Sequence, residues 1–421
     1  MKKKFKIFTL FFLIISLFAG CISKESPNND SLSKKEFKER VKREDIRKNR
    51  YPEIDAYLEK NKEKSNKAEK KEEKAKKAKL LFGGDVLPHM PINDYAYYYG
   101  DGDYDYSRSF EDINDFAKDF DFFMVNNEFT VNPSLEVSGY PLFNSNKNIY
   151  KAMKDAGIDL VTTANNHCLD TGIDGLVTTI EAIESFDIDH VGTSKSSYKP
   201  YIIKDVKGIK IGILSYAENL NGNDYLLDTD EKYNMVNTLD RDQVKKDLAK
   251  LKKKDVDFIV VYPHWGVEYE SYPESYQIEF AHDMLEWGAD MVIGNHPHVI
   301  QPMEEYETED GRKGLIYYSL GNLLSNQKQE AFEGDYRVEQ GLLIETNIEK
   351  KPGERAKIIS YKNHSTCVDR SFDEFGYLDK TYVATPYLED EDKLYGLEER
   401  IRYLIELSKQ MNEETLSSMG Y

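Results

Sequence analysis

The sequence predicts an α/β protein, because short apolar segments alternate with segments of helical periodicity from about residue 79 onward. The apolar segments are rich in Val, Ile, Leu and Phe, which is typical of buried strands. They cover residues 79–82, 120–126, 160–164, 210–216, 258–262, 291–293, 315–318 and 341–346. Helices are predicted over 149–156, 175–185, 241–253, 274–287 and 390–412, and a Tyr/Asp/Gly-rich loop over 94–107.

The charge of the chain is strongly uneven. The 421 residues carry a formal net charge of −19. Residues 1–21 hold four Lys and no acid, and residues 22–79 have a net charge of +7, which leaves −30 for residues 80–421. So acidic a body excludes a general nucleic-acid partner, because binding to phosphates needs a basic surface. The hydrophobic content of 40% is enough for a packed core.

The first 21 residues have the pattern of an export signal. Four Lys precede an apolar stretch of about 12 residues, which is too short for an ordinary transmembrane helix. The stretch ends in Ala19-Gly20-Cys21, which is similar to a bacterial lipoprotein signal in which the cysteine becomes lipidated. A cleaved signal peptide without lipid and an uncleaved anchor are the alternatives. We therefore expect an extracytoplasmic protein, anchored through Cys21 and followed by a Lys/Glu-rich tether over 22–79.

Polar side chains that bind metals follow five of the predicted strands. They are Asp85, the pair Asn127-Glu128, the triplet Asn165-Asn166-His167, His264, and the pair His296 and His298. In α/β sheets, ligands bind beyond the carboxyl ends of strands, so these side chains are expected to converge. Taken singly, each motif also fits a turn, a helix cap or a structural histidine. Their joint occurrence predicts a metal site with mixed oxygen and nitrogen ligands.

The ordered set of motifs resembles the CapA family of poly-γ-glutamate capsule biosynthesis proteins. The resemblance rests on Gly84-Asp85, Asn127-Glu128, Ala164-Asn165-Asn166-His167, His264-Trp265-Gly266 with Glu268, His296-Pro297-His298 and Ser319-Leu320-Gly321-Asn322. It covers residues 80–345, leaving 346–421 as a partly helical C-terminal extension. The family is similar to calcineurin-like metallophosphoesterases, which implies a four-layered α/β/β/α sandwich around a two-metal site.

The resemblance also implies roles for individual residues. It implies a catalytic role for His167 as a proton donor to a leaving oxygen, and metal-ligand roles for Asp85, Glu128, Asn166, His264, His296 and His298. Glu128 would bridge two divalent ions, which could be Mn, Fe or Zn. Residues expected behind the ligands or against substrate are Asn127, Asn165, Glu268 and Asn322. The sequence departs from the phosphoesterase pattern at Leu87, where a metal-binding histidine is usual, and His89 is a candidate substitute.

The function implied by the resemblance is poly-γ-glutamate synthesis, export or release at the membrane, with a metal-dependent hydrolase-like site. Its partners would be the membrane, through the lipid anchor, the polymer and the membrane-bound synthase subunits. Two alternatives stay open: a non-catalytic subunit that binds polymer or assembles the synthase, and a metallophosphoesterase acting on an unrelated phosphoester or cell-wall substrate. Because poly-γ-glutamate is a polyanion, binding to a body of −30 requires a locally positive groove or the metal ions.

Overall fold

A computed structural model describes residues 74–418 of the chain. The predicted signal, Cys21 and most of the predicted tether lie outside the described residues. No helix within 74–418 is both long enough and apolar enough to cross a membrane. The first strand begins at Lys76, inside the segment assigned to the tether from its composition.

Two β-sheets form the centre of the fold. The first sheet has eight strands in the order β14-β13-β12-β1-β2-β3-β4, and β11 pairs with the end of β1. Its strands are β1 (Lys76–Leu87), β2 (Phe122–Asn127), β3 (Leu160–Thr162), β4 (Asp189–Val191), β11 (Asn322–Ser325), β12 (Gln340–Lys350), β13 (Ala356–Asp373) and β14 (Gly376–Val383). The strands β1 to β4 are parallel, so their carboxyl ends share one edge.

The second sheet has six strands in the order β5-β6-β7-β8-β10-β9. They are β5 (Tyr201–Val206), β6 (Ile209–Ala217), β7 (Phe258–His264), β8 (Met291–Ile293), β9 (Met303–Glu307) and β10 (Lys313–Tyr317). β6, β7 and β8 are parallel, whereas β5 and β6 form a hairpin whose turn residues, Lys207 and Gly208, both have positive φ. In each sheet, therefore, several parallel strands end at the same edge.

Ten α-helices lie between residues 74 and 418. They are α1 (Met90–Tyr99), α2 (Ser107–Ala117), α3 (Ile149–Asp155), α4 (Gly172–Ser185), α5 (Asp230–Tyr233), α6 (Arg241–Lys252), α7 (Ser275–Glu286), α8 (Ala384–Leu388), α9 (Glu391–Tyr395) and α10 (Glu399–Leu416). α6 begins at an N-cap aspartate, Asp240, whose side chain accepts from the backbone N–H of Gln243. α7 begins with a capping box between Glu274 and Gln277.

Three apolar cores separate four layers. Alternate residues of β1 and β2 face opposite ways, so Leu81 and Phe123 pack beneath α1 to α4, while Phe82 and Met124 face the second sheet. The other side of the second sheet packs on α6 and α7, where Leu248 is fully buried. The order helix, sheet, sheet, helix confirms the predicted α/β/β/α sandwich.

Two segments differ from the sequence-based expectation. The predicted loop 94–107 begins inside α1, because Ile92, Tyr95 and Ala96 form a buried face at helical spacing. The predicted boundary between 345 and 346 falls inside β12, and the segment beyond it adds β13 and β14 to the first sheet. α10 then packs on β13, with Ile405 and Cys367 buried between them.

Candidate metal centre

Asp85 is turned into the space between the sheets by an irregularity in β1. The register of β1 with β2 shifts between Phe82 and Asp85, which re-aims the side chain. A Cβ at Gly84 would lie 1.9 Å from the carbonyl oxygen of Gly321, so only glycine permits this approach. The backbone N–H of Asp85 donates to the same oxygen at 3.0 Å. The close packing of β1 on the loop before β11 thus fixes the Asp85 carboxylate.

Five buried acidic and histidine side chains meet in two overlapping groups. We call Asp85, Glu128 and His298 the Asp85 cluster, and Glu128, His264 and His296 the His264 cluster. Within each cluster one ligand atom per residue lies within 4.8 Å of the others. Glu128 belongs to both, and its Oε1 lies 3.4 Å from His264 Nε2 and 3.7 Å from His298 Nε2. Glu128 is therefore the residue that the two clusters share.

The two clusters draw their residues from both sheets. Asp85 lies on β1 and Glu128 directly follows β2, so the first sheet supplies the carboxylates. His264 ends β7, and His296 and His298 follow β8, so the second sheet supplies the imidazoles. The carboxyl ends of parallel strands in the two sheets therefore face each other across the centre.

The protonation states of the side chains in the centre depend on their burial and on the charges of their neighbours. Burial raises the pKa of Glu128 to about 8, and the charge of His298 opposes this shift. Burial would lower the pKa of His298, but Glu128 and Asp85 outweigh it and raise that pKa to about 9. Burial also lowers the pKa of His264 to about 3 and that of His296 well below its usual value. Burial would raise the pKa of Asp85, but the hydrogen bond and charge of His298 hold it below the usual value.

The segment His296-Pro297-His298 has a strained backbone. His296 has φ 100° and His298 has φ 56°, and residues other than glycine rarely adopt positive φ values of this kind. The N–H of Tyr269 donates to Pro297 O at 2.8 Å and holds the segment in place. Asn322 Oδ1 lies 3.1 Å from His298 Nδ1. Strain of this kind is typical of functional sites.

Asn126 and Asn166 both contact His264 through their side-chain amides. Asn166 Oδ1 lies 2.8 Å from His264 Nε2, on the side where the ligand atoms converge. Asn126 Nδ2 lies 2.8 Å from Asp85 Oδ1 and 3.3 Å from His264 Nδ1. Asn126 was not among the residues predicted from the sequence. Its position directly before Asn127-Glu128, in register with Asp85, was the signal that could have identified it.

The residues predicted to lie behind the ligands have different surroundings. Asn127 faces away, because it accepts from Tyr150 Oη at 2.9 Å and donates to Phe129 O. Asn165 donates to Asn127 O at 2.7 Å and accepts from the backbone N–H of His167 at 3.1 Å. Glu268 is exposed, and its charge acts on the pKa of Glu128 and of His298. Asn165 therefore stabilises the loop that carries His167, and Glu268 lies toward solvent.

His167 forms a short hydrogen bond to a carboxylate. Its Nδ1 lies 2.7 Å from Asp170 Oδ2, and both side chains are nearly buried. The same carboxylate oxygen accepts from the backbone N–H of Phe143 at 2.7 Å, and the Phe143 ring packs edge-on against His167. Asp170 therefore orients the imidazole and fixes its Nδ1 as a donor.

Leu87 and His89 do not add a ligand to the two clusters. Leu87 is packed in the apolar core beneath the helices. His89 Nδ1 lies 3.0 Å from Leu87 O and 3.3 Å from the N–H of Asn326, and burial lowers the pKa of His89 to about 4. Cys168 is buried and free, and burial raises the pKa of its thiol to about 12.

The donor set fits divalent metal ions. Both carboxylate oxygens of Glu128 are buried, and neither has a hydrogen-bond partner. A buried carboxylate without partners costs several kcal/mol, whereas binding to a cation would satisfy it. Carboxylate oxygens and imidazoles in one buried cluster suit Mn, Fe or Zn. These observations support a divalent metal site, and the number and identity of the ions remain predictions.

The fold and the centre together define an α/β/β/α protein with a buried carboxylate–histidine metal site between its sheets. The profile of the family described as bacterial capsule synthesis protein PGA_cap matches residues 79–327. The chain belongs to this family.

Individual relatives cover smaller parts of the chain. A capsule biosynthesis protein CapA of Bacillus anthracis is 33% identical over 182 residues, which are 42% of this chain and 42% of that protein. A PGA biosynthesis protein CapA of Bacillus subtilis is 29% identical over 224 residues, 52% of this chain and 55% of that protein. The matches thus span about half of these relatives. Among solved structures, a calcineurin-like phosphoesterase, YfkN of Bacillus subtilis, matches 69% of this chain and 91% of its own, with 18% identity and a TM-score of 0.43.

Proposed function

We propose that this chain is a membrane-anchored extracytoplasmic protein of poly-γ-glutamate capsule synthesis, export or release, with a two-metal hydrolase-like centre. The family description and the names of both Bacillus relatives support the capsule assignment. The observation that carries the metal-dependent chemistry is Glu128, which belongs to both clusters and whose two buried oxygens have no hydrogen-bond partner.

The metal ions would be held by the residues of the two clusters. Asp85, Glu128 and His298 would hold one ion, and Glu128, His264 and His296 the other. Asn166 Oδ1 is an additional donor beside His264. When bound, divalent ions polarise a substrate oxygen and offset the negative charge that develops on it.

His167 is suited to donate a proton to the leaving group. Asp170 accepts from its Nδ1, which leaves Nε2 as the nitrogen through which the ring would exchange a proton with the substrate. The carboxylate stabilises the charged imidazole, as an orienting acid does in other acid–base pairs. The backbone N–H of Phe143 donates to Asp170 and limits the movement of this carboxylate. The ring of Phe143 packs against the imidazole and limits its rotation.

Metal ions held at the centre would also offset the repulsion between the acidic body and a polyanionic substrate. The body of the protein is strongly acidic, and its repulsion extends over a Debye length of about 8 Å at physiological salt. Two divalent ions would outweigh the charges of Asp85 and Glu128 and make the centre locally positive. Carboxylates of the polymer could then bind at the centre despite the acidic surroundings.

Anchoring and partners complete the proposal. The lipoprotein-like pattern of residues 1–21 supports attachment through Cys21 to the outer face of the cytoplasmic membrane. At that place the centre could meet the polymer and the membrane-bound synthase subunits.

The test uses the full chain purified in detergent. Metal content is measured by mass spectrometry after loading with Mn, Fe or Zn, and polymer length by size-exclusion chromatography of poly-γ-glutamate. We expect up to two ions per chain and metal-dependent shortening of the polymer, both lost in Glu128→Gln. Shortening lost in His167→Ala with metal retained would support the catalytic role.

Three outcomes would contradict parts of this proposal. Absence of metal under every loading condition would refute the metal centre. Unchanged polymer processing in His167→Ala would favour a binding or assembly subunit. Activity on a phosphodiester panel, with none on γ-glutamyl polymer, would favour an unrelated phosphoesterase substrate.

A further inference from the structure

A loop that follows a strand of the second sheet reaches the proposed metal centre through one exposed amide. β6 ends at Ala217, and residues 218–222 form the loop that follows it. Within this loop, Asn221 Oδ1 lies 3.3 Å from Asn166 Nδ2. Asn221 is exposed to solvent, whereas Asn166 is only 1% exposed. A surface side chain therefore contacts a buried residue of the proposed donor set.

The loop is fixed to the segments that surround the centre. The backbone N–H of Glu218 donates to His264 O at 3.0 Å, which ties the start of the loop to a proposed ligand. Leu220 is buried, and it belongs to the same apolar cluster as Cys168, which lies two residues after Asn166. The loop therefore keeps a defined position relative to both segments.

The backbone of Asn221 is held in an unfavourable conformation. Asn221 has φ 53°, in the left-handed region that asparagine tolerates better than most other residues. Its backbone N–H donates to Asn219 Oδ1 at 3.3 Å, so a neighbouring side chain supports the turn. Such strain persists only where surrounding contacts maintain it, and it is concentrated at functional sites. This conformation places the side-chain oxygen of Asn221 against Asn166.

The two amide atoms of Asn166 have different partners. Its Oδ1 lies 2.8 Å from His264 Nε2, toward the centre, and its Nδ2 donates to Asn221 Oδ1. Only the oxygen of an amide has lone pairs to offer a metal ion, because its NH2 group can only donate. A half-turn of the Asn166 amide would therefore remove this oxygen from the centre. The acceptor on Asn221 favours the orientation that keeps the oxygen inward.

We propose that Asn221 is a positioning residue, which orients Asn166 toward a metal ion at the His264 cluster. Its acceptor also polarises the Asn166 amide, which makes the amide oxygen a stronger ligand for a cation. Loss of a partner behind a metal ligand typically costs 10–100-fold in metal affinity, and for a partner exposed to solvent we expect about tenfold. This inference rests on the proposed metal centre and is independent of the substrate.

The first test compares two variants of Asn221 in the full chain, which is freed of metal with EDTA and titrated with Zn2+ by calorimetry. Asn221→Gly deletes the amide, and glycine adopts positive φ without strain. We expect one ion to bind about tenfold more weakly, while the midpoint of urea unfolding in EDTA stays unchanged. Asn221→Asp keeps an oxygen at the same place that can only accept. Its affinity for Zn2+ should equal or exceed that of the wild type.

The charge of the aspartate needs a control of its own, because a carboxylate near the centre also attracts cations. The double variant Asn219→Asp/Asn221→Gly adds the same charge to the same loop but has no acceptor at position 221. Asn219 is exposed, and an aspartate there can still accept from the N–H of residue 221. This variant should bind Zn2+ as weakly as Asn221→Gly. Affinity restored to the wild-type value would overturn the proposal, because charge alone would then suffice.

The second test is a double-mutant cycle that shows whether Asn221 acts through Asn166. Asn166→Ala should weaken binding of the same ion. Adding Asn221→Gly to Asn166→Ala should weaken it no further, because the amide to be oriented is already absent. Losses that simply add would overturn the proposal, since Asn221 would then act by another route.

The outcomes separate the positioning role from the metal centre itself. Affinity that is unchanged in Asn221→Gly, or lost equally in Asn221→Asp, would overturn the positioning role alone. Equal weakening of both ions together with a lower unfolding midpoint would also overturn it, because the loop would then matter only for folding. A wild-type chain that binds no Zn2+ would overturn the metal centre and this inference together.

Discussion

Replacement of Glu128 by Gln should stabilise the metal-free protein, and increasingly so as pH rises. Burial raises the pKa of Glu128 from 4.5 to about 8, so the folded state holds a proton that the unfolded state releases above its lower pKa. The stability that this proton provides is fully present below pH 4.5 and is lost as pH rises through 8. Gln keeps the shape of the protonated acid and does not titrate.

The magnitude of this stability difference follows from the pKa shift of Glu128. Each pKa unit corresponds to about 1.4 kcal/mol, so the advantage of Glu128→Gln should grow by about 4 kcal/mol between pH 5 and pH 8. Urea unfolding in EDTA at several pH values measures the free energy of unfolding of both proteins. Glu279→Gln, on the exposed face of α7, changes the net charge equally and should show a nearly constant difference.

Metal should reduce the stability advantage of Glu128→Gln over the wild type. At a Mn2+ concentration 100 times its Kd, binding stabilises the wild type by about 2.7 kcal/mol, whereas Glu128→Gln loses this gain. A stability difference in EDTA that does not change with pH would refute the reasoning. A wild type that is more stable than Glu128→Gln at pH 8 without metal would refute it as well.

Three further predictions concern other parts of the centre. Metal affinity should rise between pH 6 and 9, measured by chelator competition, because protons leave Glu128 and His298, whose pKa values are about 8 and 9; a flat profile would contradict this. Asp170→Asn should lower kcat by about 100-fold or more while leaving the metal content unchanged, and loss of metal would contradict its assignment to His167. Gly84→Ala should lower Tm far more than Gly222→Ala, since only at Gly84 would the Cβ meet a backbone oxygen at 1.9 Å; similar losses would contradict this.

The sequence predicted most of the fold where burial leaves a clear pattern. β2 and β7 are buried along their whole length, so they stand out as apolar segments. β13 could not be found this way, because 12 of its 18 residues lie partly or fully exposed and its composition is mixed. α1 was missed for a related reason, since the tyrosines on its exposed face obscured its helical pattern.

The proposed ligands could be predicted because they follow strands whose ends converge. The contacts between the ligands and their neighbours could not be predicted, because these contacts depend on distances across the sheets. Asn126 and Asn127 are adjacent and chemically identical, yet one faces the centre and the other faces Tyr150. The alternation of side chains along β2 separates them, but the sequence alone does not show which residue faces inward.

The division of the ligands between the two sheets has a consequence for folding. Metal bound at the centre would link the first sheet to the second, in addition to the apolar core between them. Amide hydrogen exchange at the ends of β1 and β7 should therefore slow on metal loading, while exchange in α10 stays unchanged. The protein would then reach its protease-resistant state only after metal loading, since only in the loaded chain would both sheets be held firmly together.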